Sequence, residues 1–408
     1  MILSSNQSRV NSRMKLNVMI VMIFVVIIIG IIATLSLYGI ISTSHNSNQG
    51  AASSLVQKQK RTISYNELVQ YALRKINEDR SKFNIPAIKL SDDNNNSNNN
   101  KTVAQSQAED MLRTRQISHY TSDGMKPYME YTIFGSKGYV AQNVGYDGFN
   151  NSQANIMNKC KNGVYICAAI DPIKSIDQLE YNMIYYDSIF NWSHRNNILD
   201  KHHTHVNIGI AYDKDSFVLV QNFENKYIEF DKPIIKLNNQ AYNVDNNNED
   251  SNGNVEISGK VLGNNNNSII DSIHIYYDEK PTFLVYTQHK NDNLYDMGKL
   301  IADIVKQLPH PHVNQHYKQS STNYTLIQAT RWWISSSSSL KGGEDRAGGE
   351  SRQQQQQKSI DIQFNISSLL KSGGVYTIVV YLKHNNNYDT FPVTSYSIFS
   401  SANTGIKR

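Results

Sequence analysis

Between residues 18 and 41 the chain reads VMIVMIFVVIIIGIIATLSLYGII, apolar on every face and free of charge and proline. A helix of that length crosses the roughly 30 Å of hydrocarbon in a bilayer, so the run is predicted to be a single membrane span. Downstream the pattern turns amphipathic. In TISYNELVQYALRKINEDR, Ser64 and Glu67 carry a capping-box signature, and Leu68, Tyr71, Ala72 and Ile76 recur at helical spacing. This predicts a first helix that ends before the Asn-Ile-Pro turn near residue 84. TVAQSQAEDMLRTR predicts a second helix with Ala104, Ala108, Met111 and Leu112 on one side, and DQLEYNMIYYDSIF a third with Leu179, Met183 and Tyr186. HVNIGIAYD and SFVLVQNFEN read as strands separated by an Asp-rich turn. The segment ISHYTSDGMKPYMEYT (117–132) is too irregular for a helix face and too polar for a buried strand, so His119 is expected in a loop. His194 is expected just past the third helix.

Beyond about residue 231 the runs VEISGKVLG, SIIDSIHIYYD, TFLVYTQH and VYTIVVYLKH are β-branched and aromatic with turn residues between them, which predicts an antiparallel sandwich. The low-complexity stretch 335–359 interrupts it, and SDDNNNSNNN (91–100) is a polar insertion with no apolar surface to offset the entropy of ordering it. The expected class is α+β in five segments: a cytoplasmic N-terminus (1–17), the span (18–41), a polar tether (42–61), a mixed domain (62–230) and a β domain (231–408).

Charge sets the orientation. Arg9, Arg13 and Lys15 precede the span, and residues 42–57 carry no Lys or Arg, so the positive-inside bias puts the short N-terminus in the cytoplasm. The protein is expected at the cell membrane, single-pass, with its C-terminal domains outside. A cleaved secretory signal is the competing reading, although its apolar part usually runs only about 7–15 residues. The net charge of +5 is spread among 35 acids. With no basic stripe interleaved with aromatics, nucleic-acid binding is not expected. Cys160 and Cys167 are the only cysteines. An outward location favours a local disulfide over free thiols, and a zinc pair finds no second CxxC. Asn100, Asn150, Asn323 and Asn365 open N-x-S/T sequons.

From Ser64 to Phe230 the chain resembles the CAP superfamily (SCP domain), which includes cysteine-rich secretory, antigen 5 and plant pathogenesis-related proteins, and especially its prokaryotic branch. The matching pieces, in order, are ELVQYALRKINEDR, AQSQAEDML with SHY after it, YVAQNVGY where the family has a Glu-Asn pair, and NWSHRNNILDKHHTHVNIGIAY. The resemblance implies an α-β-α sandwich with a surface cleft where two histidines face two acids and, in some members, bind a divalent metal. Carried over, the histidines are His119 and His194. Gln142 stands at the first acid's position, and Asp187, nearer His194, is preferred to Glu180 for the second. A carboxylate can hold a metal or take a proton, whereas a neutral amide can only hydrogen-bond.

The residues by themselves allow zinc, since two imidazoles suit it, but a catalytic zinc site has three protein ligands and an open position. His119 and His194 with Asp187 would make one. The plainer alternative is that each histidine caps its helix and packs on Tyr120 or Trp192. DKHHTH reads as a solvent-facing lead-in to the strand at Val206, and Trp332 with Trp333 as cover for one end of the sandwich. No G-x-S-x-G elbow exists. Three functions result, the last of them a purely structural surface protein with glycosylated Asn-rich loops. The first is a membrane-anchored extracellular binding module, not an enzyme, whose cleft takes a small apolar, lipid-like or peptide ligand and whose β domain meets cell-envelope partners. The second is a zinc-dependent hydrolase using His119 and His194 to acidify a bound water.

Overall fold

The computed structural model describes residues 63–92, 102–148, 169–232, 234, 243–244, 253–262, 268–308, 324–336, 358–370, 373–384 and 389–400. The predicted span, the cysteine pair, three of the sequons and the middle of the low-complexity stretch lie outside them. No helix among the described residues is long and apolar enough to cross a membrane.

The chain is α+β. Ser64 caps α1 (Tyr65–Lys82) in the full box with Glu67. Thr102 caps α2 (Val103–Thr114). The first sheet takes β1 (Lys89–Leu90), β2 (Tyr139–Gly148), β3 (His205–Tyr212) and β4 (Ser216–Asn225) in the order β1-β3-β4-β2. β4 is antiparallel to both β3 and β2. Strand alternation sends side chains to opposite faces. Ile208, Ile210, Phe217 and Leu219 therefore pack under α1 and α4 (Pro172–Tyr185), while Ala211, Val218 and Val220 meet α2. Helices thus cover both faces. Gly209 lets α2 approach closely, because a Cβ there would lie 2.0 Å from the Ala104 carbonyl oxygen.

The rest of the described chain is β-rich. One sheet is β10-β9-β8-β13-β14-β6, built from β6 (Asn243–Val244), β8 (Ser268–Asp278), β9 (Lys299–Val305), β10 (Thr325–Gln328), β13 (Gly374–His384) and β14 (Thr390–Ser400). The other is β11-β12-β7-β5, from β5 (Ile228–Phe230), β7 (Asn254–Val261), β11 (Arg331–Ser336) and β12 (Lys358–Asn365). Ile257, Ile273, Ile362 and Ile378 lie in the core the two sheets share. The two ends of the low-complexity stretch face each other where Ser336 pairs with Lys358. Trp332 packs on the core, and its neighbour Trp333 points out, 52% exposed.

Several local expectations fail: beside the exposed Trp333, two pairings of the sandwich expected to be antiparallel, β10 with β9 and β14 with β6, are parallel. TFLVYTQH is a helix, α6 (Phe283–His289), because the Thr282 hydroxyl accepts from Val285 N–H and only Tyr286 of the turn is buried. The segment after His119 holds a short helix, α3 (Pro127–Ile133), whose proline sits in the first turn, where no amide donor is needed. The third helix stops at Tyr185 and continues as a 3₁₀ turn, Asp187–Phe190, and then α5 (Ser193–Leu199), so His194 lies in a helix and not beyond one. In DKHHTH, His202 and His203 are buried, the first stacked on Phe391 and the second on Phe223.

Candidate functional site

A cleft of about 650 Å³ opens at the edge of the first sheet, and both His119 and His194 line it. Asp187 of the 3₁₀ turn reaches back to α5. Its Oδ1 lies 2.6 Å from His194 Nδ1, and its Oδ2 accepts from the Arg195 amide at 3.1 Å. The carboxylate thereby fixes the ring, Phe190 packs edge-on against it at 4.9 Å, and any ligand meets Nε2. Asn143, fully buried, donates to the His194 carbonyl at 3.0 Å and accepts from Asn197, tying α5 to β2.

His119 sits differently. Its Nδ1 is 2.9 Å from Gln142 Oε1, and Tyr295 packs on the ring at 5.1 Å. Burial, partly offset by the Gln142 bond, drops its pKa to about 4, with His194 adding a further lowering and the Asn293 backbone a raising contribution. A backbone bond that favours the charged ring is one in which the ring donates, so the partner is a carbonyl. A neutral imidazole has one N–H. If that proton goes to Asn293, Nδ1 becomes an acceptor and the Gln142 amide must turn its nitrogen to it. The turn also gives a partner to Gln142 Nε2, which otherwise lies buried without one. A glutamate could not donate this bond. Gln142 therefore suits a neutral His119.

The structure thus brings His119 and Gln142 together on one side and Asp187 and His194 together on the other. Glu180 is elsewhere: on the sheet-facing side of α4 and fully buried, it accepts from Gln221 of β4 at 2.7 Å, and burial lifts its pKa to about 8. These donors do not fit the divalent metal known in some CAP proteins. His119 Nδ1 is taken up by Gln142, Gln142 replaces the acid, and Asp187 is turned onto His194. Among the described residues no three His, Cys, Asp or Glu side chains group to hold a metal ion.

Sequence reasoning missed most of the cleft's walls. Leu179, Met183, Ile189 and Phe190 form one, and Asn291, Asp292 and Asn293 another. The latter three lie far along the chain, in an Asn-rich sequence where an NDN run carries no signal of its own.

Residues 73–223 match the model of the cysteine-rich secretory protein family, CAP. Among solved structures the CAP domain of Enterococcal PrgA is similar at 16% identity, over 40% of this chain and 64% of that one, with a TM-score of 0.23. No curated protein matches. With helices on both faces of the sheet and the paired histidines in one cleft, residues 73–223 of this chain are a CAP domain.

Proposed function

We propose that this CAP domain is a binding module, held at the membrane by residues 18–41, facing outward, with a cleft that takes a small apolar, lipid-like or peptide ligand. The observation that carries the reading is the make-up of the cleft: apolar side chains surround two imidazoles, His194 oriented by Asp187 and His119 held against Gln142 and Tyr295. Such a surface buries apolar groups and fixes orientation with few polar contacts. The uncharged run at 18–41 and the basic residues before it support the anchor and its direction.

Zinc titration of the purified full-length chain, followed by calorimetry and metal analysis, tests the choice between binding and metal-dependent hydrolysis. The expected result is no stoichiometric uptake that depends on the histidines. Stoichiometric zinc, lost in a His119→Ala/His194→Ala double variant, would overturn the reading.

A further inference from the structure

The two walls of the cleft differ in kind and in origin. Leu179, Met183, Ile189 and Phe190 are apolar and belong to the CAP domain, whereas Asn291, Asp292 and Asn293 are polar and lie beyond residue 223, between α6 and β9. The polar wall is firmly seated. Gln116 Nε2 donates to the Lys290 carbonyl at 3.3 Å and to Asn291 Oδ1 at 3.2 Å, and His289 stacks on Tyr120 at 5.2 Å. Just before it, Gly124, at φ +91°, meets Thr282 so closely that a Cβ would lie 2.3 Å from the Thr282 carbonyl oxygen.

Charge narrows the ligand. Among the described residues no lysine or arginine lines the cleft, so a phosphate or carboxylate headgroup would enter without a counter-ion from them. Its two carboxylates are already engaged, Asp187 with His194 and Asp292 with His289, so neither calls for a cationic ligand. What remains is a neutral molecule with apolar groups on one side and hydrogen-bonding groups on the other. Asparagine side chains both donate and accept, which matches an extended peptide backbone, whose residues rise about 3.4 Å each and send side chains alternately to opposite sides.

We infer that the cleft binds a short, uncharged, extended peptide whose backbone runs along Asn291–Asn293 and whose apolar side chains pack on Leu179, Met183, Ile189 and Phe190. The C-terminal region thereby sets the specificity of the CAP cleft. The inference rests on the cleft being a ligand site, and its test separates the two.

A random short-peptide library is selected on the full-length chain, and the best peptide is measured by fluorescence anisotropy against wild type, Asn291→Ala/Asn293→Ala and Ile189→Lys. The three positions are exposed, circular dichroism checks that the variants keep the fold, and Asn293→Ala alone controls for the Gln116 bond lost with Asn291. Parinaryl alcohol, uncharged like the peptide and fluorescent, serves as the lipid probe. The expected result is that the peptide binds wild type, and that the asparagine double variant weakens it about tenfold, the loss of one or two hydrogen bonds. Ile189→Lys is expected to weaken it at least as much. If Ile189→Lys abolishes peptide binding and the asparagine variant retains wild-type affinity, the cleft reading stands and this inference falls. It also falls if only parinaryl alcohol binds. If no probe binds, or if bound probes ignore both sets of substitutions, both fall.

Discussion

At the residue scale the informative position is Gln142. An amide there can donate to His119 Nδ1 and keep the ring neutral, and a carboxylate cannot. The linkage has a definite sign. His119 has a folded pKa of about 4 against an ordinary 6.5, so its contribution to stability is complete above pH 6.5 and is lost as pH falls towards 4. Gln142→Glu places an acceptor against the buried ring and raises the His119 pKa. Histidine ring shifts followed by NMR across pH 4–8 are expected to show the variant titrating at higher pH than wild type. An unchanged His119 titration contradicts the arrangement. That His119 belongs near position 142 was legible from the order of motifs. The tie to Asn293 and Tyr295 was not, because nothing local in a sequence marks a contact more than a hundred residues away.

At the element scale, helices with caps and clean periodicity were legible. Ser64 with Glu67 and Thr102 mark real starts, and β7, β8 and β13 fall where β-branched runs predict them, while β9, β12 and β14 were not singled out. Elements set by tertiary context were not. TFLVYTQH has strand-like composition but folds as a helix capped by Thr282, and α3 follows a proline that punctuates a loop as readily as it opens a helix. DKHHTH looked solvated because its side chains are polar, yet stacking on Phe223 and Phe391 buries two of its histidines. α3 joins the CAP sheet to the C-terminal strands. Tyr128, Met129 and Tyr131 share a small core with Val140 and Val375. Beside them Lys126 Nζ lies 2.7 Å from Asp278 and 2.6 Å from Asp296. Burial opposes the charge on Lys126, but Asp278 and Asp296 hold its pKa above the ordinary lysine value. Lys126→Met strands Asp278 in a buried position and is expected to cost about 3–5 kcal/mol. Urea unfolding measures it. Adding Asp278→Leu removes the stranded charge and is expected to recover part of that loss. A Lys126→Met chain as stable as wild type contradicts the pairing.

At the scale of the molecule, residues 63–408 form one compact unit, and the cleft belongs to both its CAP and its C-terminal parts. The sequence pointed to two domains and to the paired histidines, but assigned the cleft to the first domain alone. The reason is physical: the wall at Asn291–Asn293 exists only through long-range packing, with the Lys126 ion pair, the Tyr120–His289 stack and the Gln116 bonds holding it in place. Hydrogen exchange by mass spectrometry on the full-length chain, with and without the selected peptide, reads both walls at once. The expected result is simultaneous protection of residues 116–119, 186–194 and 290–293, three segments distant in sequence. Protection confined to other surfaces, or to the CAP segments with 290–293 unchanged, would contradict a cleft shared by the two parts.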